Sequence, residues 1–166
     1  MEIMFQILVL CILLPTQARP AKGPDFNGTW VLYQLAEAVN PYIEAIGQDL
    51  FRTEKTLIVE QTVGEIRVSR RGSTSQGQPI VKDANYSLLG GSKSGATLHG
   101  STLTIKRAVE AAVGNSTEKM NGEEEWSFQD NKETLLISLF VHSSKVTQSF
   151  GLYYKRARAN QGKTQR

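Results

Sequence analysis

From residue 56 to residue 154 the apolar residues recur at every second position in short runs, and turn signals separate the runs. Leu57 and Val59 share one face with Ile58 opposite, and Ile66 and Val68 repeat the pattern beyond Val63-Gly64. Leu103 and Ile105 alternate with Thr102, Thr104 and Lys106. Leu135, Ile137, Leu139 and Val141 line one face of the strongest run, Thr134–Val141, and Val146, Phe150, Leu152 and Tyr154 line one face of the last. Arg71-Gly72-Ser73, Gly90-Gly91-Ser92, His99-Gly100-Ser101, Gly114-Asn115-Ser116 and Gln129-Asp130-Asn131-Lys132 read as the intervening turns. A period of two is that of a strand, whose side chains alternate between faces. Strands at this spacing, joined by hairpins, fold as an antiparallel barrel or sandwich.

One segment breaks the rhythm. Leu35, Ala36, Val39, Tyr42, Ile43 and Ile46 recur at spacings of three and four, the stripe of an amphipathic helix. Pro41 lies inside that stripe and would remove a helical hydrogen bond. Two short helices joined at Asn40-Pro41, with Gly47 as the C-terminal stop, fit this pattern. An early helix favours the barrel, where it can cover an open end. The expected architecture is all-β, a single up-and-down barrel of about eight to ten strands with a short helical segment near the N-terminus.

The N-terminus sets the compartment. Ile3 to Leu14 is apolar except for Gln6, too short for a spanning helix of about 20 residues. It fits the apolar region of a secretory signal, with Pro15 ending it and Thr16-Gln17-Ala18 supplying the small residues for cleavage after Ala18. Removing residues 1–18 takes away Glu2 and the single cysteine, Cys11, leaving 19 basic and 15 acidic residues, a formal charge of +4. The mature chain has no disulfide and no cysteine-based metal site, so its own core must hold it. The expected organisation is a signal peptide at 1–18, a linker at 19–24, the barrel at 25–157 and a basic tail at 158–166. That tail has little to bury and reads as a solvated, disordered end. Aromatic-interleaved basic stretches are missing, so no nucleic-acid partner is expected. No transmembrane anchor is expected either, and the location is secreted or periplasmic.

The segment Asp25-Phe26-Asn27-Gly28-Thr29-Trp30 opens the barrel. Phe26-x-Gly28-Thr29-Trp30-x-Leu32, followed by Tyr42-Ile43-x-Ala45-Ile46-Gly47, resembles the opening of fatty-acid-binding proteins, in which the first strand carries the Gly-Thr-Trp and a helical lid follows. The wider calycin group, including lipocalins, shares a Gly-x-Trp on its first strand. Small exported bacterial proteins described as lipocalin-like are similar in their Asp-Phe-x-Gly-Thr-Trp behind a signal peptide. Later hairpins of those proteins resemble Gly100-Ser101-Thr102-Leu103-Thr104-Ile105 and Glu125-Trp126-Ser127-Phe128. The resemblance implies a barrel that carries an apolar molecule. It also gives Gly28 and Trp30 structural roles, with Lys155 or Arg156 of the last strand stacked on the Trp30 indole.

One departure bears on the ligand. Fatty-acid-binding proteins hold a carboxylate with Arg-x-Tyr on the last strand, whereas Gly151 precedes Tyr153 and Leu152 precedes Tyr154 here. A more neutral apolar ligand, or none, is expected. The candidate cavity residues are Tyr42, Ile46, Trp126, Phe128, Phe150 and Tyr154.

Catalytic patterns are weak. Gly91-Ser92-Lys93-Ser94-Gly95 has its serines out of place for a nucleophile elbow and reads as a flexible hairpin loop. Ser116-x-x-Lys119 lacks the companion motifs of a serine-lysine acylase. His99 and His142 lie in separate hairpins without metal-ligand spacing. Glu123-Glu124-Glu125, beside Asn121-Gly122, reads as a solvated charged turn. No enzyme activity, cofactor or metal is expected. Asn27, Asn85 and Asn115 open Asn-x-Ser/Thr triplets, and Asn115, in a turn, is the best glycan acceptor if the source is eukaryotic.

Two functions follow. The first is an exported, monomeric carrier of a small hydrophobic ligand in the barrel. The second is a barrel filled by its own side chains that acts through its surface, and the apolar residues on both faces of Thr134–Val141 favour that reading.

Overall fold

The computed structural model describes residues 23–36, 41–91, 95–145 and 147–157. The expected signal peptide, Val146 and the basic tail lie outside them. Nine strands alternate their apolar residues as the sequence dictates: β1 (Gly28–Leu35), β2 (Thr56–Gln61), β3 (Glu65–Ser73), β4 (Pro79–Ser87), β5 (Ala96–His99), β6 (Thr102–Val113), β7 (Ser116–Gln129), β8 (Thr134–His142) and β9 (Thr147–Arg156). One helix, α1 (Pro41–Thr53), separates β1 from β2.

All the strand pairings are antiparallel. The strands form one sheet in the order β4-β3-β2-β1-β9-β8-β7-β6-β5, so the first strand pairs with the last. The sheet curls into a nearly closed barrel. β3 and β7 are far apart in the sheet order, yet Arg70 and Glu124 meet across the interior at 2.7 Å. The ring breaks between β4 and β5, where an isolated bridge joins Ser87 to Gly95.

The inward residues form one core. Trp30, Leu57, Ile66, Ile105, Trp126, Leu135 and Tyr154 are all inaccessible to solvent. One end is plugged by Phe26, which packs edge-on to Trp126 at 5.8 Å and stacks on Phe128 at 4.8 Å between ring centroids. The backbone N–H of Phe26 donates to Gln61 Oε1, which fixes the plug to β2.

The helix departs from the sequence expectation. It runs unbroken from Pro41 to Thr53, with Pro41 at its first position, where the missing N–H costs nothing. Residues 37–40, where a second short helix would lie, are outside the described residues. Gly47 does not stop the helix. The apolar stripe continues through Leu50, and Gly47 is a buried interior position whose lack of a side chain admits Leu35 and Phe150. Glu44 in the first turn and Arg52 in the last complement the helix dipole.

Two expected turns are strands instead. Arg71-Gly72-Ser73 ends β3, and the turn follows at Thr74–Gln78 with Gly77 at φ 79°. Asn121-Gly122 and the three glutamates lie inside β7, the longest strand.

Candidate functional site

The centre of the barrel holds four charges. On β7, residues 120, 122, 124, 126 and 128 point inward by alternation, which carries Glu124 into the core between Gly122 and Trp126. Arg70 comes from β3 and Arg107 from β6 by the same parity. Glu54 comes from the residue after α1. Glu54 and Glu124 are 2% and 1% exposed, and the Arg70 and Arg107 side chains 4% and 9%.

Each guanidinium touches both carboxylates. Arg70 Nη2 donates to Glu124 Oε2 at 2.7 Å, and its Nε lies 3.6 Å from Glu54 Oε2. Arg107 Nε donates to Glu124 Oε1 at 2.5 Å, and its Nη2 to Glu54 Oε2 at 2.7 Å. The Trp126 indole N–H donates to Glu124 Oε2 at 2.9 Å, and the Tyr154 hydroxyl donates to the Glu54 backbone carbonyl at 3.1 Å. The cluster is neutral and densely satisfied, the condition under which charges persist in a low-dielectric interior.

Burial alone would raise the Glu124 carboxyl, but Arg107 and Arg70 outweigh it and hold the group at about 2. Burial would likewise lower the Arg107 guanidinium, and Glu124 and Glu54 reverse this, raising it. The Tyr154 hydroxyl is pushed well up by burial, then by Glu54 and Glu124.

Helix α1 straps the broken side of the barrel. Asp49 Oδ2 accepts from the backbone N–H of Ala112, on the stretch of β6 that extends beyond β5. Arg52 Nη1 donates to the Ser73 carbonyl at 2.6 Å. Ser73 stands opposite Pro79, which has no N–H to offer. Arg52 and Asp49 also pair with each other, so one ion pair links the ends of β3 and β6. Gly72 lets the helix seat here: a Cβ at this position would lie 2.3 Å from the Arg52 carbonyl oxygen.

The candidate cavity residues occupy four places. Ile46 on α1 and Phe150 on β9 are both core residues, and Phe150 lies against Gly47 of the helix. Trp126 and Tyr154 flank the charge cluster. Phe128 joins the aromatic plug, 5.7 Å from Trp30 between centroids. Tyr42 stands half-buried at the start of α1, in the field of Glu118 and Lys145. All six thus pack within or against one continuous core. Clefts of about 620 and 590 Å³ lie outside that core, one along the outer face near Phe140 and one on the rim near Leu98 and Phe128.

Trp30 is fully buried, its indole N–H donates to the Phe26 carbonyl at 2.9 Å, and Arg156 stacks on its ring. Gly28 takes φ 131°, and a Cβ there would lie 2.8 Å from Arg156 Nη1. Leu152, facing inward two residues before Tyr154, occupies the position where an Arg-x-Tyr pattern would carry its arginine. The interior nevertheless contains two arginines, from β3 and β6, which a search of the last strand alone misses. The only sequence signal for the cluster is parity: Glu124 falls in step with Met120, Trp126 and Phe128, and Arg107 in step with Ile105 and Val109. The expected solvated turn at Glu123-Glu124-Glu125 is therefore corrected. Glu123 and Glu125 face outward and Glu124 is core.

Of the glycan triplets, Asn27, Asn85 and Asn115 are all exposed, and the Asn27 amide also donates to Asp25 and to the Gln61 carbonyl. Among the described residues no group of three or more His, Cys, Asp or Glu side chains is placed to hold a metal ion, and no helix is long and apolar enough to cross a membrane.

A Gly-Thr-Trp first strand, a helix between it and the second, closure of first strand on last and a cation from the last strand over the tryptophan together describe a nearly closed antiparallel β-barrel with one helix across its broken side. Among solved structures the chain is similar to zebrafish ileal bile acid-binding protein complexed with cholic acid, at 11% identity and a TM-score of 0.41, over 80% of this chain and 98% of that one. No family model and no curated protein matches.

Proposed function

We propose that this protein is an exported, non-catalytic binding barrel that admits a small apolar ligand on the side strapped by α1. The gap in the sheet between β4 and β5 supports this reading. Inward-facing Ile80, Ala84 and Tyr86 of β4 are only half-buried and Lys82 is exposed, so among the described residues packing seals that side less than the rest. The ionisable groups of the interior neutralise one another, and none is paired as nucleophile and base. This favours binding over catalysis.

Native mass spectrometry of the purified protein, with organic extraction of what copurifies, tests the reading. A bound small molecule, or uptake of an apolar fluorescent probe, is expected. A ligand-free protein that takes up no probe overturns it. For export, N-terminal sequencing of extracytoplasmic material should begin at Arg19, and an intact Met1 there overturns cleavage.

The filled barrel acting through its surface is the second reading. The outer face of β1, β9 and β8 favours it, because Val31, Tyr33 and Phe140 are exposed and Tyr33 meets Tyr153 at 6.4 Å. Sedimentation velocity separates the two readings at this face: self-association supports the second, a monomer the first.

A further inference from the structure

Glu54 is buried in the barrel but does not belong to its wall. It directly follows α1, which turns Ile43, Ile46 and Leu50 toward the same interior. Residues 41–54 thus present an apolar body ending in a carboxylate. The other three charged groups, Arg70, Arg107 and Glu124, are fixed on strands. Without Glu54 they would carry one net positive charge in a buried site, which requires an oxyanion. Two guanidinium forks aimed at one point match a carboxylate in both shape and charge.

Besides its apolar face of Ile43, Ile46 and Leu50, the segment is held by polar contacts at its C-terminal end: Asp49 on Ala112, Arg52 on Ser73, the Glu54 carboxylate on Arg70 and Arg107, and the Tyr154 hydroxyl on the Glu54 carbonyl. At the junction, Thr53 Oγ1 is buried with no hydrogen-bond partner among the described residues. An unmet buried hydroxyl weakens the closed arrangement at the point where the helix would hinge.

We propose that the 41–54 segment is an internal occupant of the binding site. A small amphipathic molecule with an anionic head group enters as α1 swings outward, and its head group replaces the Glu54 carboxylate on Arg70 and Arg107. This rests on the ligand-binding reading above and adds the charge of the ligand and the identity of its competitor. Because the competitor is tethered, the apparent affinity of the wild-type protein is reduced by the fraction of molecules in which the strap is open.

Calorimetric titration of the full chain with dodecanoate and with dodecanol tests this, comparing wild type with Glu54→Gln and Arg52→Ala. Glu54→Gln removes the competing charge and is expected to bind dodecanoate about tenfold more tightly or better, with no such gain for dodecanol. Arg52→Ala loosens α1 while leaving the four charges in place, and is expected to gain for both probes. A folded Glu54→Gln protein that binds the two probes alike overturns the internal-occupant inference and leaves barrel binding standing. Should Glu54→Gln not fold, Arg52→Ala decides, and unchanged dodecanoate affinity overturns the inference. If no variant binds either probe, the carrier reading falls with it.

Discussion

Arg156 lies over the indole of Trp30, its guanidinium carbon 4.3 Å from the ring centroid, and its Nη1 donates to the Asn27 carbonyl oxygen at 2.8 Å. The two residues also stand opposite each other in the pairing of β9 with β1. One side chain therefore ties the last strand to the first at the level of the aromatic plug, where the barrel closes on itself.

Removing either partner should show in stability. Trp30→Ala deletes a fully buried ring and is expected to cost about 3–5 kcal/mol. Arg156→Ala loses a cation–π contact and a hydrogen bond, together about 1–2 kcal/mol. Urea denaturation of the two variants should preserve this order. A Trp30→Ala protein as stable as wild type would remove Trp30 from the core.

Glu124→Gln keeps the shape of the side chain but leaves two buried guanidinium groups facing one carboxylate. Breaking a buried charge network by removing one partner costs about 3–5 kcal/mol. The pH dependence follows from the direction of the shift. The folded carboxyl titrates at about 2, below its ordinary 4.5, so its contribution is complete above the ordinary value and is lost as pH falls from there toward 2. Denaturation midpoints of the wild type should fall steeply across that window, and those of Glu124→Gln should fall less. Parallel profiles would show that Glu124 is not paired in solution.

The parts of this structure legible in sequence are those that depend on local period and on the first-strand motif. Leu135, Ile137, Leu139 and Val141 announce β8 because one face is uniformly apolar, and Phe26 to Trp30 announce the barrel's opening. The charge cluster was hidden for a physical reason. A glutamate is ordinarily solvated, and Glu124 is core only because Arg107 faces it from the neighbouring strand of the hairpin and Arg70 arrives from a strand distant in sequence. Asn121-Gly122 has the composition of a hairpin turn, but in β7 the glycine is where the Val109 side chain and the Arg107 carbonyl come closest. Gly47 looked like a helix stop because propensity ignores packing. Its value lies in the contact it allows with Leu35 and Phe150.

Gly72 should be intolerant of any side chain. A Cβ there would meet the Arg52 and Thr53 carbonyl groups within 2.4 Å, and backbone cannot yield as a flexible side chain can. Gly72→Ala is expected to cost about 1–3 kcal/mol as an overpacking change. Hydrogen exchange would locate the damage: the amides of α1 should lose protection while those of β7 and β8 keep theirs. Uniform loss of protection would show instead that the helix and barrel unfold as one unit.

The Tyr154 hydroxyl reports on the same junction from the barrel side. Burial comes first and the Glu54 and Glu124 carboxylates second in pushing its ionisation well above the ordinary 10.0. A group whose folded value is raised contributes stability below its ordinary value and loses it as pH rises toward the folded one. The Tyr154 phenolate signal in an ultraviolet alkaline titration should therefore appear only together with unfolding of the barrel. Tyr154→Phe removes that step and the hydrogen bond to the Glu54 carbonyl, and is expected to cost about 1 kcal/mol at neutral pH. A phenolate step assignable to Tyr154 while the circular dichroism of the barrel is unchanged would show that water reaches the charge cluster in the folded protein.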